Sequence, residues 1–345
     1  YLILFLNNTE IRPGGGFIGS FARLDLENGR AVGLDFEKNI YTLDKAYIAA
    51  GNSIAPPAEI SAITPKWTMR DSNVYADFAK ISEKVSWFYQ QETGKKVDGV
   101  ISIDTTLFRN LLRATGPISM PEYNMEVTDQ NFLSDVQYQV EIGYYQNKDN
   151  WSENQPKKIL ADLMPKFVAA MTKNSAVQSR VGKEIAKAIS EKHFMVYTTN
   201  SVVADLIDGV GLSGKIHAAT GDYLYLSDAN IGGLKSSLNI SEAVTQNIEI
   251  SGNGNVNEKV TILRKHNGSY EWPDGVNNNF LKVFLPLSSK IDSVNFLAGN
   301  NFPKSDPSLK TDNQYKVEAE SGKQTVSFWQ NTKPGDESST AVDYT

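Results

Sequence analysis

Apolar and polar positions along this chain follow two rhythms, and the change falls near residue 215. Residues 2–6 form a short apolar run, and Ala22, Leu24 and Leu26 then alternate with Arg23, Asp25 and Glu27 at the period of a strand. Asn28-Gly29 reads as a two-residue hairpin turn into a strand over 30–36. Val74, Phe78, Ile81, Val85 and Phe88 recur four and three apart, which predicts a helix capped by Asp71 or Ser72 and closed by Gly94. Residues 97–103 are short and largely apolar, as suits an interior strand of a sheet covered on both faces. Asp104 then caps a helix over 105–114 that Gly116-Pro117 stops. Helices are predicted over 131–145, 157–172, 181–192 and 202–210, with a strand over 194–197 and a kink or restart at Pro165.

From about Gly221 the helical period disappears. Short alternating segments at 247–250, 259–263, 281–286 and 325–330 are separated by Gly-Asn, Asn-Gly and Pro-containing turns, which predicts an antiparallel β-sandwich. The expected fold is an α/β domain over 1–215, with a mixed sheet covered by helices on both faces, followed by an Ig-like β-sandwich over 221–345. The boundary is placed between Gly214 and Gly221. Tyr1 already begins a strand, and 341–345 reads as a strand without its neighbour. Such ends predict a piece of a longer polypeptide, its sandwich truncated at the C-terminus.

Composition narrows the chemistry. Hydrophobic residues at 40% and charged residues at 21% describe a globular chain, and a net charge of −6 gives no reason to expect a nucleic-acid partner. The absence of cysteine excludes disulfides, iron–sulfur clusters and thiol catalysis. No apolar run approaches the roughly 20 residues of a membrane span, so any anchor lies outside these residues. His193, His217 and His266 are scattered and none has a partner at metal-ligand spacing, so they read as structural.

Three segments carry candidate chemistry. Asn7-Asn8-Thr9-Glu10-Ile11-Arg12-Pro13-Gly14-Gly15-Gly16-Phe17-Ile18-Gly19 puts a carboxylate, a guanidinium and three glycines at the end of a strand. Gly14, Gly16 and Gly19 match the dinucleotide spacing, but a strand and not a helix follows, so no dinucleotide is expected there. Trp67 to Asn73 contains Arg70 and Asp71, and a third segment, Ser227 to Ser236, supplies Asn230, two glycines and Lys235. Arg12 and Arg70 could grip a diphosphate by forked hydrogen bonds, with Gly14, Gly15, Gly16, Asn73, Asn230 and Lys235 as further ligand-binding positions. Glu10 or Asp71 could hold magnesium, and Asp71 could orient Arg70 or act as a base. The competing reading pairs Arg12 with Asp71 or Glu10 to pin two loops together, and explains the glycines by a tight turn with positive φ.

The first segment, Trp67 to Asn73, Val97 to Asp104, Gly116-Pro117, Asp228 to Gly233 with Lys235-Ser236, and Val283 to Pro286 together resemble domain-of-unknown-function family 4012, a bacterial envelope family. The resemblance spans nearly the whole chain. It implies an extracytoplasmic, cell-surface protein tethered by an N-terminal transmembrane helix outside these residues, and supplies no activity. The order of elements is also distantly similar to that of the LytR-CpsA-Psr phosphotransferases, which attach glycopolymers from lipid pyrophosphate carriers to the bacterial wall. That likeness would place Glu10 at a magnesium-binding aspartate and Arg70 near a pyrophosphate contact. The second metal-binding aspartate falls near Gly19-Ser20 and the paired arginines near Glu37-Lys38-Asn39, where this chain lacks those groups. Two functions from different classes follow: a magnesium-assisted phosphotransferase, or binder, of polyprenyl-diphosphate or cell-wall glycans, and a noncatalytic surface or adhesion module. Whether Arg12 and Arg70 share an open cleft or a buried ion-pair network separates them.

Overall fold

The computed structural model describes residues 1–36, 39–146, 148, 150, 157–299 and 315–345. The chain runs β1 (Leu2–Asn7), β2 (Phe17–Glu27), β3 (Arg30–Asp35), α1 (Ile40–Ala49), α2 (Ala58–Ser61), α3 (Phe78–Thr93), β4 (Gly99–Asp104) and α4 (Thr105–Thr115). It continues through a small hairpin, β5 (Ile118–Met120) and β6 (Met125–Val127), then α5 (Lys158–Met171), α6 (Ser175–Ser190), β7 (Phe194–Thr198) and α7 (Ser201–Gly209). Eight strands complete it: β8 (Tyr225–Asn230), β9 (Ile240–Ile250), β10 (Val256–His266), β11 (Asn277–Leu285), β12 (Ile291–Ala298), β13 (Tyr315–Glu320), β14 (Lys323–Thr332) and β15 (Glu337–Tyr344).

Two compact units share these elements. The first comprises Tyr1–Asn7, Ile18–Ala49 and Ser82–Gly214; the second comprises Asn8–Phe17, Ala50–Ile81 and Lys215–Thr345. The second unit thus begins its long stretch at Lys215 but also takes in two segments from earlier in the chain.

The first unit is built on a mixed sheet of order β3-β2-β1-β4-β7. β4 is parallel to β1, with Leu2 opposite Val100 and Leu6 opposite Asp104, and antiparallel to β7. The apolar run at 97–103 therefore supplies an interior strand, as its composition requires. Leu107, Leu111, Leu163, Phe167 and Val177 from α4, α5 and α6 pack against Ile103 and Phe194. Alternation then puts Leu2, Leu4 and Val100 on the other face, where all three are fully buried, and α3 sets the Tyr89 ring edge-on against Phe21 of β2.

Local chemistry fixes most element ends. Asn28 and Gly29 take positive φ, as a tight hairpin of the mirror-image type requires. Asp104 accepts the Leu107 N–H at 3.0 Å and caps α4, and Gly116 at φ 90° ends it. Three expectations change. The helix read from residue 74 begins at Phe78, because Asp77 accepts the Ala79 N–H, while Asp71 lies in a separate 3₁₀ turn, Met69–Asp71. α6 starts six residues before Val181, at Ser175, because Asn174 accepts the Val177 N–H and caps it there. Residues 131–145 are not one regular α-helix: Phe132–Val136 and Gln139–Gly143 wind as π-helix. α5 remains a single helix through Pro165.

The second unit contains two four-stranded antiparallel sheets, β12-β15-β10-β9 and β13-β14-β11-β8. Val260, Ile262 and Val342 of one sheet meet Leu281, Val283, Val326 and Phe328 of the other in a common core. This is the sandwich that the alternating segments predict. The strand read as lacking a neighbour, β15, has one on each side, β10 and β12.

Candidate functional site

The glycines set the first loop. Gly14, Gly15 and Gly16 adopt φ of 83°, 113° and 144°, a sequence of values that side-chain-bearing residues avoid. The loop closes with the Gly15 N–H on the Arg12 carbonyl at 3.1 Å and the Phe17 N–H on the Glu10 carbonyl at 2.9 Å. A Cβ on Gly14 would lie 2.6 Å from Ile81 Cδ1, so close approach also demands glycine there. β2 follows at Phe17, and the helix a dinucleotide would need is not there.

This loop presents Arg12 inward. Its side chain is 1% exposed, with Nη2 3.5 Å from Glu10 Oε1 and 3.6 Å from Asp71 Oδ1. The guanidinium carbon lies 5.7 Å from the centroid of Phe17. Glu10 also accepts a 2.8 Å hydrogen bond from Lys235 Nζ, and Asp71 Oδ2 lies 3.3 Å from Arg70 Nε. The backbone holds Asp71 in place: its carbonyl accepts the Trp67 indole N–H at 2.9 Å. Asn73 donates to the Gly16 carbonyl, and the Asn230 N–H to the Ile11 carbonyl at 2.9 Å. Asn230 itself is fully buried and its amide donates to the Ser236 and Ser237 hydroxyls at 3.2 and 3.1 Å.

All the sequence-predicted positions therefore converge in the second unit: Glu10, Arg12, Gly14, Gly15, Gly16, Arg70, Asp71, Asn73, Asn230 and Lys235. They form a chain of alternating charge, Lys235–Glu10–Arg12–Asp71–Arg70. Asp71 is not the helix cap its position suggested; its carboxylate is 4% exposed and lies between two guanidinium groups. Arg70 is the most open member at 26%. Among the described residues, Arg12 Nε and Nη1 have no hydrogen-bond partner, nor do Asn73 Oδ1 and Asn230 Oδ1. Both oxygens of Glu10 face cations, a donor set that suits an ion pair better than magnesium. Among the described residues no group of three or more His, Asp or Glu is placed to hold a metal. Of Glu37-Lys38-Asn39, Glu37 and Lys38 lie outside the described residues.

Two further polar centres escaped the reading of the sequence. In the sandwich, Arg264 of β10 is 3% exposed and its Nη1 pairs with Asp228 of β8 at 2.5 Å and with Glu242 of β9, while Nη2 donates to Asn277 at 3.1 Å. Burial, reinforced by the charge on Asp228, pushes the Glu242 carboxyl up to about 7. The signal was present: Val260, Ile262, Arg264 and His266 keep one alternating phase, so the arginine had to point into the core. In the α/β unit, His193 Nδ1 lies 2.6 Å from Asp104 Oδ2, and that hydrogen bond holds the imidazole pKa above its usual 6.5.

Comparison with known proteins adds one likeness. Residues 1–140 match the sequence profile of DUF4012, described as a protein of unknown function. No curated protein and no solved structure matches the chain. Among the described residues, no helix is long and apolar enough to cross a membrane.

Proposed function

We propose that this chain is a noncatalytic module of an extracytoplasmic, cell-envelope protein, in which the Glu10–Arg12–Asp71 cluster is a structural clasp. One observation carries the reading. The carboxylates that could hold a metal, Glu10 and Asp71, are paired with cations, Arg12 Nη2 lies between them at 3.5 and 3.6 Å, and the Arg12 side chain is 1% exposed. The motif resemblance to a bacterial envelope family supports the location, with the polypeptide held by a membrane anchor outside these residues; the profile matched by residues 1–140 is itself described as one of unknown function. In this role the loops fix the shape of the sandwich unit, and its outer surfaces meet glycan or protein partners.

A second reading, a LytR-CpsA-Psr-like site for polyprenyl-diphosphate glycans, is favoured by a separate observation. Arg12 keeps two N–H donors without a partner, and Arg70 beside it is partly open. There Arg12 and Arg70 would hold phosphate oxygens, and Asp71 would orient Arg70 or accept a proton. Arg12→Ala separates the two. As a clasp, its loss destabilises the fold by about 3–5 kcal/mol, the cost of orphaning a buried partner. Geranyl pyrophosphate, titrated with and without magnesium, then shows no binding to either form. As a phosphate ligand, its loss weakens pyrophosphate binding by about 1.5–3 kcal/mol in a magnesium- and salt-dependent way. Melting temperature and calorimetric titration on the same two proteins decide between them.

A further inference from the structure

Among the described residues, β9 is the outermost strand of its sheet and its backbone ladder is with β10. Its register with β10 runs without interruption from Ile240–His266 to Ile250–Val256. Cross-strand partners share a face, so the pairs Val244–Ile262, Gln246–Val260 and Ile248–Glu258 turn those β9 side chains to the core side of the sandwich. They are nevertheless open: Val244, Ile248 and Ile250 are 42%, 52% and 74% exposed.

Free edges invite pairing, and proteins blunt them with short strands, bulges, lysine or proline. The other sandwich edges carry such devices. β12 has two register shifts against β15, β13 places Lys316 at its edge, and β8 has only six residues. β9 has eleven residues and neither bulge, lysine nor proline, and its inward-pointing charge, Glu242, is paired with Arg264 of β10.

We propose that β9 is an interface, and that its occupant is β9 of a second copy, paired antiparallel about a two-fold axis at Gln246 to give one continuous eight-stranded sheet. The sequence of the strand selects both partner and register. With Gln246 opposite itself, Val244 meets Ile248 twice on the core side and Thr245 meets Asn247 twice on the outer side. Glu242 falls opposite Ile250, and Glu249 opposite Ala243, so no like charges face each other. Centring the axis on Thr245 instead sets Val244 against Gln246 at the centre and Glu242 against Ile248, whereas the Gln246 axis has apolar pairs beside its centre and leaves its polar–apolar core-side pairing, Glu242 with Ile250, at the ends. Centring it on Asn247 leaves Ile248 against Gln246. A slip to an axis between residues turns core-side positions against outer ones. Glu242 is held by Arg264 within its own sandwich, so it adds no repulsion across the axis.

The test uses the whole chain in solution, followed by sedimentation velocity and light scattering over a hundredfold concentration range. The wild type is expected to dimerise. Ile248→Lys is expected to weaken dimerisation at least tenfold with its melting temperature little changed, because the side chain is half open in the single copy. Leu297→Lys on the opposite edge strand, also exposed, should leave the dimer intact. The cysteine-free background makes the register directly readable: Gln246→Cys should form a disulfide-linked dimer under mild oxidation, because directly opposed residues lie within disulfide reach. Glu249→Cys should not, since the two sulfurs would be about 20 Å apart along the strands. A wild type that stays monomeric, or an Ile248→Lys variant that dimerises as well as the wild type, overturns the interface. Cross-linking through residue 249 but not 246 overturns the register.

Discussion

In the α/β unit the interior is apolar nearly throughout. Leu2, Leu4, Val100, Leu163 and Phe167 fill it, and of its two buried aspartates among the described residues, Asp44 and Asp104, the latter sits at a strand end where it caps a helix. The sandwich unit has an apolar half built on Val260, Ile262, Leu281 and Phe328, and a polar half. There Arg264, His266, Asn277, Gln330, Thr332 and Ser338 are buried and hydrogen-bonded across and between the sheets. The charge chain around Arg12 belongs to this same unit. An apolar core tolerates reshuffling of similar volumes, whereas a buried polar network holds only if every member keeps its partner. The sandwich has gained geometric definition and accepted fragility with it.

That contrast sets an order of mutational effects. Arg264→Ala leaves Asp228 and Glu242 facing each other without their cation, and is expected to cost about 3–5 kcal/mol in chemical denaturation. A loss near zero would mean that water replaces the guanidinium and that the polar half is plastic. Leu4→Ala in the α/β unit is expected to cost about 2–5 kcal/mol, set by how far its neighbours relax into the cavity. Pairing it with Leu4→Met, expected below about 1.5 kcal/mol, tests the claim that this core reads volume and not shape. Gly14→Ala adds a Cβ 2.6 Å from Ile81 Cδ1 at φ 83°, and an overpacking cost of about 1–3 kcal/mol should follow. Ile81→Val in the same background should recover part of it if the contact is responsible.

Effects of pH fall in both units. Glu242 is pushed up to about 7 from 4.5, so between those values the folded sandwich holds more protons than the unfolded chain. Its stability therefore falls as pH rises across that window. His193 is raised above 6.5 by Asp104, so its contribution is complete below 6.5 and is lost as pH climbs through the folded-state value. Denaturant unfolding at pH 5 and pH 8 should show lower stability at the higher value from both groups. Glu242→Gln and His193→Gln should each flatten the part of the curve that belongs to their unit.

Much of this was legible in the sequence where the cause is local. The hairpin at Asn28-Gly29, the cap at Asp104, the stop at Gly116 and the doubly covered strand at 97–103 depend on a few neighbouring residues, and all are found. The convergence of Glu10, Arg12, Arg70 and Asp71 was foreseeable from residue types at loop ends. Its closed character was not, because burial depends on what packs over a side chain. The helix start was missed for a related reason: Asp71 and Asp77 are both residue types that cap helices, but Asp71 lies in a 3₁₀ turn against Arg12 and Arg70 while Asp77 accepts the Ala79 N–H. The grouping of residues 8–17 and 50–81 with the sandwich leaves no compositional trace, since it rests on pairings hundreds of residues apart.

The chain passes between its two units at residues 7/8, 17/18, 49/50, 81/82 and 214/215. Lys235 grips Glu10 across a sequence separation of 225, and Ile11 meets Ser237 across 226. The glycine loop thus finds its partners more than 200 residues further along the chain. Entropy penalises such closures only logarithmically, so they are tolerable at equilibrium, but high contact order makes them slow. The α/β unit can collapse on helices and strands complete by Gly214, while one sheet of the sandwich is joined only once β15 lies between β10 and β12. Asn230, Lys235 and Ser237 all lie beyond Gly214, so the loop that carries Glu10 and Arg12 gains these partners only after every residue of the α/β unit has been made.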